Sequence, residues 1–348
     1  MKSKMFIYFA IMMMTAFFVT ELSAQTDAGS SSKSGYHLLK KLEVGGEGGW
    51  DYLILDNASK RLFIARSTHA DVVDAESGKK LGEVSGTNGI HGIALDENGF
   101  GYASNGRDSS VTVFDLKTLK EVTKLSVGQN PDAIIYDAFS KRVFAFNRRS
   151  SSVSAIDCAT KTIAGTLALG GHPEFSVSDG KGMMYVNLDD KSEIAAFDAV
   201  KLEIKGRWSV APGEKPSGLA MDTKNRRLFS VCDNKKMIVM NADNGKVIAD
   251  LPIGENTDGA AFDSKTGFAF SANGEGNITV VKGDGDKYSV VENIVSQSGA
   301  RTVAIDGSTG NIYLPTAQYG PKPEATADNP KPKAKMIKDS FVVLVFGK

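Results

Sequence analysis

The chain has 348 residues, with 41 basic and 41 acidic side chains that bring its formal charge to zero. That balance excludes the strongly basic surface of a nucleic-acid binder, and no nucleic-acid partner is expected. Two cysteines are too few for a disulfide scaffold, and a chain of this length can bury a large core without one.

Met1 to Ala24 joins Lys2 and Lys4 to an apolar run from Met5 to Val19 and closes on Leu22-Ser23-Ala24. This is the pattern of a secretory signal peptide, cleaved after Ala24. The run is shorter than the roughly 20 residues that span a bilayer, and no other segment approaches that length, so no stable membrane insertion is expected. Gln25 stands where a lipoprotein would need Cys. A periplasmic or secreted protein follows. Removing Lys2, Lys4 and Glu21 leaves 39 basic and 40 acidic side chains, a charge of −1. Residues 25–35 are rich in Ser and Gly and read as a flexible leader, and one folded domain is expected over 36–348.

From there, short apolar runs ending in Asp recur at Asp56, Asp96, Asp137, Asp179, Asp222, Asp263 and Asp306, at spacings of 40, 41, 42, 43, 41 and 43. Each Asp precedes a turn such as Asn57-Ala-Ser-Lys60, and a second run follows, such as Arg142-Val-Phe-Ala-Phe146. A polar loop leads to a third run, such as Val153-Ser-Ala-Ile-Asp157, and a short turn leads to a fourth, such as Lys80-Leu-Gly-Glu-Val84. Runs of four to six residues rich in Val, Ile, Phe and Tyr, broken by Gly or Asn, are strands rather than helices. A repeat of about 42 residues with four strands predicts an all-β fold, a seven-bladed β-propeller of four-stranded antiparallel blades. The coils of a linear β-solenoid are shorter.

Tyr36 to Val44 has the character of a fourth strand but precedes any first strand, whereas the last repeat stops at a third strand, Phe341-Val-Val-Leu-Val-Phe346. The N-terminal strand is therefore expected to complete the last blade and hide two sheet edges. Cys158 and Cys232 lie in repeats that are not neighbours and are expected as free, buried thiols. The segment from Ala317 to Lys338, with Pro321-Lys-Pro323 and Pro330-Lys-Pro-Lys-Ala-Lys335, is an inserted loop in the last blade (317–338), emerging at the channel mouth as a solvated loop, a cover or a partner contact.

Gly128-Gln-Asn-Pro-Asp-Ala133, Lys141-Arg-Val-Phe-Ala-Phe-Asn147 and Val153-Ser-Ala-Ile-Asp157 resemble the repeat of the YVTN-type, YncE-like bacterial propeller family, and the resemblance covers nearly the whole mature chain. It implies the propeller fold. The family is a scaffold with many uses, so it supplies no catalytic residues.

Because the first strand of a blade lines the central channel, functional side chains should gather where that strand begins. Five positions before each repeat Asp stand Asp51, His91, Asp132, Glu174, Ser217, Asp258 and Arg301. Four carboxylates, a His and an Arg at one mouth suit a small polar ligand, or a divalent cation such as Ca or Mg held by Glu174, Asn147, Asp258 and Asp51. They equally suit a water-filled channel whose charges satisfy one another. On the same face the second-to-third strand loops open with Arg66, Asn105, Asn147 and Asn187, with Asn273 close to the equivalent place, a set that suits a sugar or carboxylate or the αL turns that favour Asn. Trp50 is placed to stack on a ligand or to plug the channel, and His172 lies near the rim.

The chain has no CxxC, HxH, HExxH, nucleophile elbow or P-loop. Gly283-Asp-Gly-Asp-Lys287 reads as a hairpin turn rather than a calcium loop, and an Asp repeated in every blade reads as a turn cap. The leading expectation is an exported, monomeric binding or interaction propeller that meets a small polar ligand or an envelope protein. The alternative is a metal-dependent, lactonase-like hydrolase with His91 as proton carrier; whether the protein is an enzyme is left open.

Overall fold

In the computed structural model, which describes residues 33–324, 326 and 332–348, seven four-stranded antiparallel sheets follow one another along the chain. The inner strands are Leu53–Asp56, Ile90–Leu95, Pro131–Asp137, Pro173–Ser178, Pro216–Asp222, Thr257–Asp263 and Ala304–Ile305. Each pairs with the next strand in sequence, and order within blades one to six is sequential. A single short 3-10 turn, Asp189–Lys191, is the one helical element among the described residues. The expected signal peptide, 1–24, and most of the expected leader lie outside the described residues. Among those described, no helix is long and apolar enough to cross a membrane.

The seventh blade closes the ring as expected. His37–Glu43 pairs antiparallel with Val342–Gly347, from His37 opposite Gly347 to Glu43 opposite Val342. Its anchor is Tyr36, buried against Phe270 at 4.9 Å between ring centres, whose hydroxyl donates to the Gly310 carbonyl at 2.9 Å and to Asp263 at 3.2 Å. The tie begins within the segment read as leader, since Ser34 is buried and its N–H and hydroxyl donate to Glu292.

Alternation explains the layering. Second and third strands are buried on both faces, so they carry unbroken apolar runs such as Arg142–Asn147, whereas outer strands such as Thr162–Ala168 alternate exposed and half-buried residues. Apolar clusters form between neighbouring blades, as where Phe144, Phe146 and Phe197 meet across the third and fourth. The repeat Asp residues are turn caps in every blade: Asp56 accepts from Ala58 N–H, Asp137 from Ser140, and Asp306 from Ser308 at 2.7 Å. Gly283–Lys287 is the tight turn of a hairpin in which Asp284 pairs with Lys287. Cys158 and Cys232 are buried and unpaired.

The inner strands carry the feature that shapes the site. Their pairing slips between Ile90 and Ile93, Pro131 and Ile134, Pro173 and Ser176, Pro216 and Leu219, and Thr257 and Gly259. Each slip is a β-bulge, and it contains His91, Asp132, Glu174, Ser217 or Asp258, so the bulge releases that residue from the pleat and turns it to the axis. Buried hydroxyls take up freed backbone groups: Ser104 accepts the Gly92 N–H at 2.9 Å. The ring is tight here. A Cβ at Gly218 would stand 2.7 Å from the Ala260 nitrogen, and one at Gly259 2.8 Å from that of Val303, so only glycine lets these neighbouring blades meet backbone to backbone.

Candidate functional site at the channel mouth

The ring residues converge as a chain of alternating charge. Arg301 Nε donates to Asp258 Oδ2 at 2.9 Å, and its Nη2 lies 3.7 Å from Asp51 Oδ1. Asp51 Oδ2 is 2.7 Å from His91 Nδ1, which lies 3.8 Å from Asp132 Oδ1. Glu174 is drawn aside by Arg148, whose Nε donates to it at 2.5 Å while Nη2 bonds Asp189. Ser217 closes the circuit without a charge, donating to the Thr257 carbonyl at 3.1 Å.

Crowding of carboxylates in a half-buried ring shifts their protonation. Burial and the Asp132 charge push Glu174 up to about 8 despite Arg148. Burial, with Asp51 and Asp258 nearby, raises Asp132 above the usual carboxylate range, and burial with Asp51 raises Asp258. Burial works against the His91 charge, but the Asp51 hydrogen bond and the Asp132 and Asp51 charges outweigh it and hold the imidazolium up to about 9. The mouth therefore carries a protonated His91 at neutral pH.

Beside His91 a cavity of about 730 Å3 opens over the first three blades, lined by Asp51, Ser67, His91, Asn130, Arg107 and Arg149 among others. The Arg107 and Arg149 side chains are exposed and have no hydrogen bond or ion pair within the described structure. On the channel axis the mouth is floored by Tyr52 and Phe175, whose rings meet at 5.0 Å from opposite sides of the ring. Burial, then the charges of Asp258, Asp132, Asp51 and Glu174, raise the Tyr52 phenol, so it remains a neutral hydrogen-bond donor beneath the carboxylates.

Several expected rim residues are structural. Asn105, Asn147, Asn187 and Asn273 are fully buried. Asn105 Nδ2 donates to Ser110 and Thr112 at 3.0 and 2.9 Å, Asn147 Nδ2 to Ser152 and Ser154, and Asn273 Nδ2 to Asn277 and Thr279. Asn187 ties two blades together through the Ser217 and Gly218 carbonyls at 2.9 and 3.0 Å. Arg66 is likewise buried, clamping the carbonyls of Gly45, Glu47, Gly48 and Gly49 and the carboxylate of Asp71 over the face of Phe341. A side chain whose donors already meet internal acceptors cannot read a ligand at the rim. Trp50 does not plug the axis; it is 7% exposed, packs on Phe341 at 5.4 Å and on Tyr319 of the inserted loop at 6.1 Å, and presents an edge to the cavity beside His91. That loop is anchored at its base by Gly320 N–H to Lys335 and Ile337 N–H to Gln318. His172 stands at the outer edge, its Nδ1 3.7 Å from Asp189.

The expected metal set is not brought together around one point, because Asn147 is buried in its own blade while Glu174 and Asp258 are engaged by Arg148 and Arg301. Asp51, His91 and Asp132 are instead grouped, each offering a donor atom within 4.8 Å of the others. Sequence reading missed Arg107, Arg148, Arg149 and Asp189, although they stand one or two places after Asn105, Asn147 and Asn187, the positions it singled out. It also missed Tyr52 and Phe175, although a signal exists: one place after the ring residue the other blades carry Gly92, Ala133, Gly218, Gly259 and Thr302, and only these two are aromatic.

Solved structures match this architecture. The chain is similar to "Kuenenia stuttgartiensis Hydrazine Synthase" at 15% identity and TM-score 0.63, over 87% of this chain and 97% of that one. It is also similar to a chain of "Crystal Structure of Mitotic Checkpoint Complex" at 11% and 0.72, over 97% and 99%, and to "Crystal structure of RRP9 WD40 repeats" at 9% and 0.72, over 89% and 97%. At these identities the likeness defines a class, the seven-bladed β-propeller, and no activity. No protein-family model matches the chain, nor does any curated protein.

Proposed function

We propose that this is an exported, YVTN-type propeller that binds a small anionic ligand bearing hydroxyl or amino groups, such as a sugar acid, at its channel mouth. The observation that carries this reading is the pair of unpartnered guanidiniums, Arg107 and Arg149, lining one cavity with His91 and Asp51. Arginine recognises carboxylate and phosphate through paired donors, the protonated His91 adds a third cation, and Asp51 accepts from a hydroxyl or ammonium group. Calorimetry at pH 7 against sugar acids, sugar phosphates, amino acids and neutral sugars tests it. Anionic members should bind and Arg107→Gln/Arg149→Gln should abolish their binding; equal binding of neutral sugars, or an unaffected double variant, sinks the reading. If only envelope protein binds, the partner is a protein. Export rests on Met1–Ala24, and N-terminal sequencing of the mature chain should begin at Gln25.

A divalent cation is the second reading, favoured by the closeness of Asp51, His91 and Asp132. It requires a neutral His91, because a protonated imidazole has no lone pair for a metal. A bound ion would polarise a lactone carbonyl as a Lewis acid and make the protein a hydrolase. Metal analysis after dialysis against Ca or Mg at about pH 10, above the His91 value near 9, should then find about one ion per chain, lost in Asp132→Asn.

A further inference from the structure

Below the Tyr52–Phe175 floor the channel changes character. Its walls are the inner strands of all seven blades, and they enclose a cavity of about 500 Å3 lined by Leu55, Leu95, Ile135, Val177, Met221 and Phe262 among others. The cavity reaches the opposite face of the propeller beside exposed Asn57, where the inner strands turn back. Several of these apolar side chains, Leu95, Ile135, Val177, Met221 and Phe262, remain half-exposed although they line the centre of the protein. Water gains few hydrogen bonds from such walls, and an apolar cavity of this kind stays dry or takes an apolar guest. Its volume falls within the range of small-molecule sites.

The rim of this lower opening carries both charges, the seven Asp caps and exposed Glu97 standing among its lysines. Turns after the inner strands carry Lys60, Lys141, Lys181, Lys224 and Lys265. Three are engaged: Lys60 by Asp306 at 3.0 Å, Lys141 by Glu97 at 2.6 Å, and Lys265 by the Ser308 carbonyl. Lys181 and Lys224, on adjacent blades, are exposed and have no partner within the described structure. Phe139 on the same rim is 56% exposed.

We infer that the lower shaft is a second binding site, independent of the mouth, for an amphiphile whose aliphatic chain enters the shaft and whose anionic headgroup meets Lys181 and Lys224. A free fatty carboxylate and an anionic lipid share this chemistry. Tyr52 and Phe175 separate the chain from the carboxylates above, so one tunnel holds two sites of opposite polarity.

Calorimetry with octanoate, decanoate and dodecanoate, each below its critical micelle concentration, tests the inference. Affinity should rise roughly fourfold per methylene until the shaft is filled, the increment expected for burying one CH2. Val177→Trp and Met221→Trp, which fill the shaft from different blades, should each weaken dodecanoate at least tenfold. The surface variant Lys181→Gln/Lys224→Gln, which leaves the core untouched, should weaken dodecanoate but leave dodecanol unchanged. Sedimentation with phosphatidylglycerol vesicles against phosphatidylcholine vesicles distinguishes the sources: capture by the first alone assigns an anionic lipid, and no capture with dodecanoate bound assigns a free amphiphile. Affinity independent of chain length, or dodecanoate binding unaltered in both Trp variants and the Lys variant, overturns the inference.

Discussion

Arg66 offers the sharpest test of how this structure divides scaffold from site. Arg66→Met keeps an apolar stem but removes the guanidinium, whose carbon lies 3.8 Å from the centre of the Phe341 ring and whose Nη1 is 3.0 Å from Asp71 Oδ2. The carbonyls of Glu47, Gly48 and Gly49 belong to exposed residues and regain water at little cost. Asp71 cannot, being 4% exposed. Removing one member of a buried ion pair costs about 3–5 kcal/mol; the lower end applies because Lys80 remains 2.8 Å from Asp71 Oδ1. Loss of the cation over Phe341 adds about 1 kcal/mol. A total near 4 kcal/mol, at about 2 °C per kcal/mol for a chain of this size, lowers the melting temperature by roughly 8 °C. Calorimetric melting at pH 7 reads that shift. The pH dependence has a definite sign. Burial pushes Asp71 up, but His69, Lys80 and Arg66 outweigh it and hold the carboxyl down to about 2. The stability it contributes is present above its unfolded value near 4 and is lost as pH falls toward 2, so the gap between wild type and variant should narrow over that window. An unchanged melting temperature with lost ligand binding would return Arg66 to the ligand site and refute the structural assignment.

Three further outcomes follow from the same contacts. Tyr36→Phe removes the bonds to Asp263 and Gly310 that pin the closing strand and should cost about 1–2 kcal/mol by urea unfolding; no measurable loss would mean that closure does not depend on this anchor. The His91 imidazole, followed by NMR, should titrate near 9 and move down in Asp51→Asn; its contribution to stability is complete below its unfolded value near 6.5 and declines as pH rises through 9, and an ordinary midpoint in the wild type would contradict the ring geometry. Burial pushes the Cys158 thiol up to about 11 and Cys232 to about 12, so neither should react with a thiol reagent at pH 8 until denaturant is added.

The propeller was legible because its physics is repetitive. Seven Asp caps at near-constant spacing mark where each inner strand turns, and the orphan strand at Tyr36–Val44 has one unpaired edge to join, which the pairing of Glu43 with Val342 satisfies. Counting from the caps also located the ring, since every blade offers its axial residue at the same register. The rim was left open between ligand and structure for a related reason. An Asn that ends a second strand is polar and recurs, and sequence cannot show that Ser110 and Thr112, or Ser152 and Ser154, wait on the neighbouring strand to accept its amide.

What sets function apart is departure from the repeat. Asp56 and its equivalents hold turns in all seven blades, whereas Asp51, His91, Asp132, Glu174, Ser217, Asp258 and Arg301 occupy one register with several chemistries. A fold alone would accept the same small polar residue seven times. The next register is more informative: five blades place Gly, Ala or Thr there, and Tyr52 and Phe175 fill the axis from opposite sides. Two bulky rings in otherwise small positions divide one tunnel into a charged mouth and an apolar shaft. A ligand that met both halves would have to force those rings apart, so occupancy of the mouth and of the shaft should be additive, and a coupling between the two binding free energies would show that the floor moves.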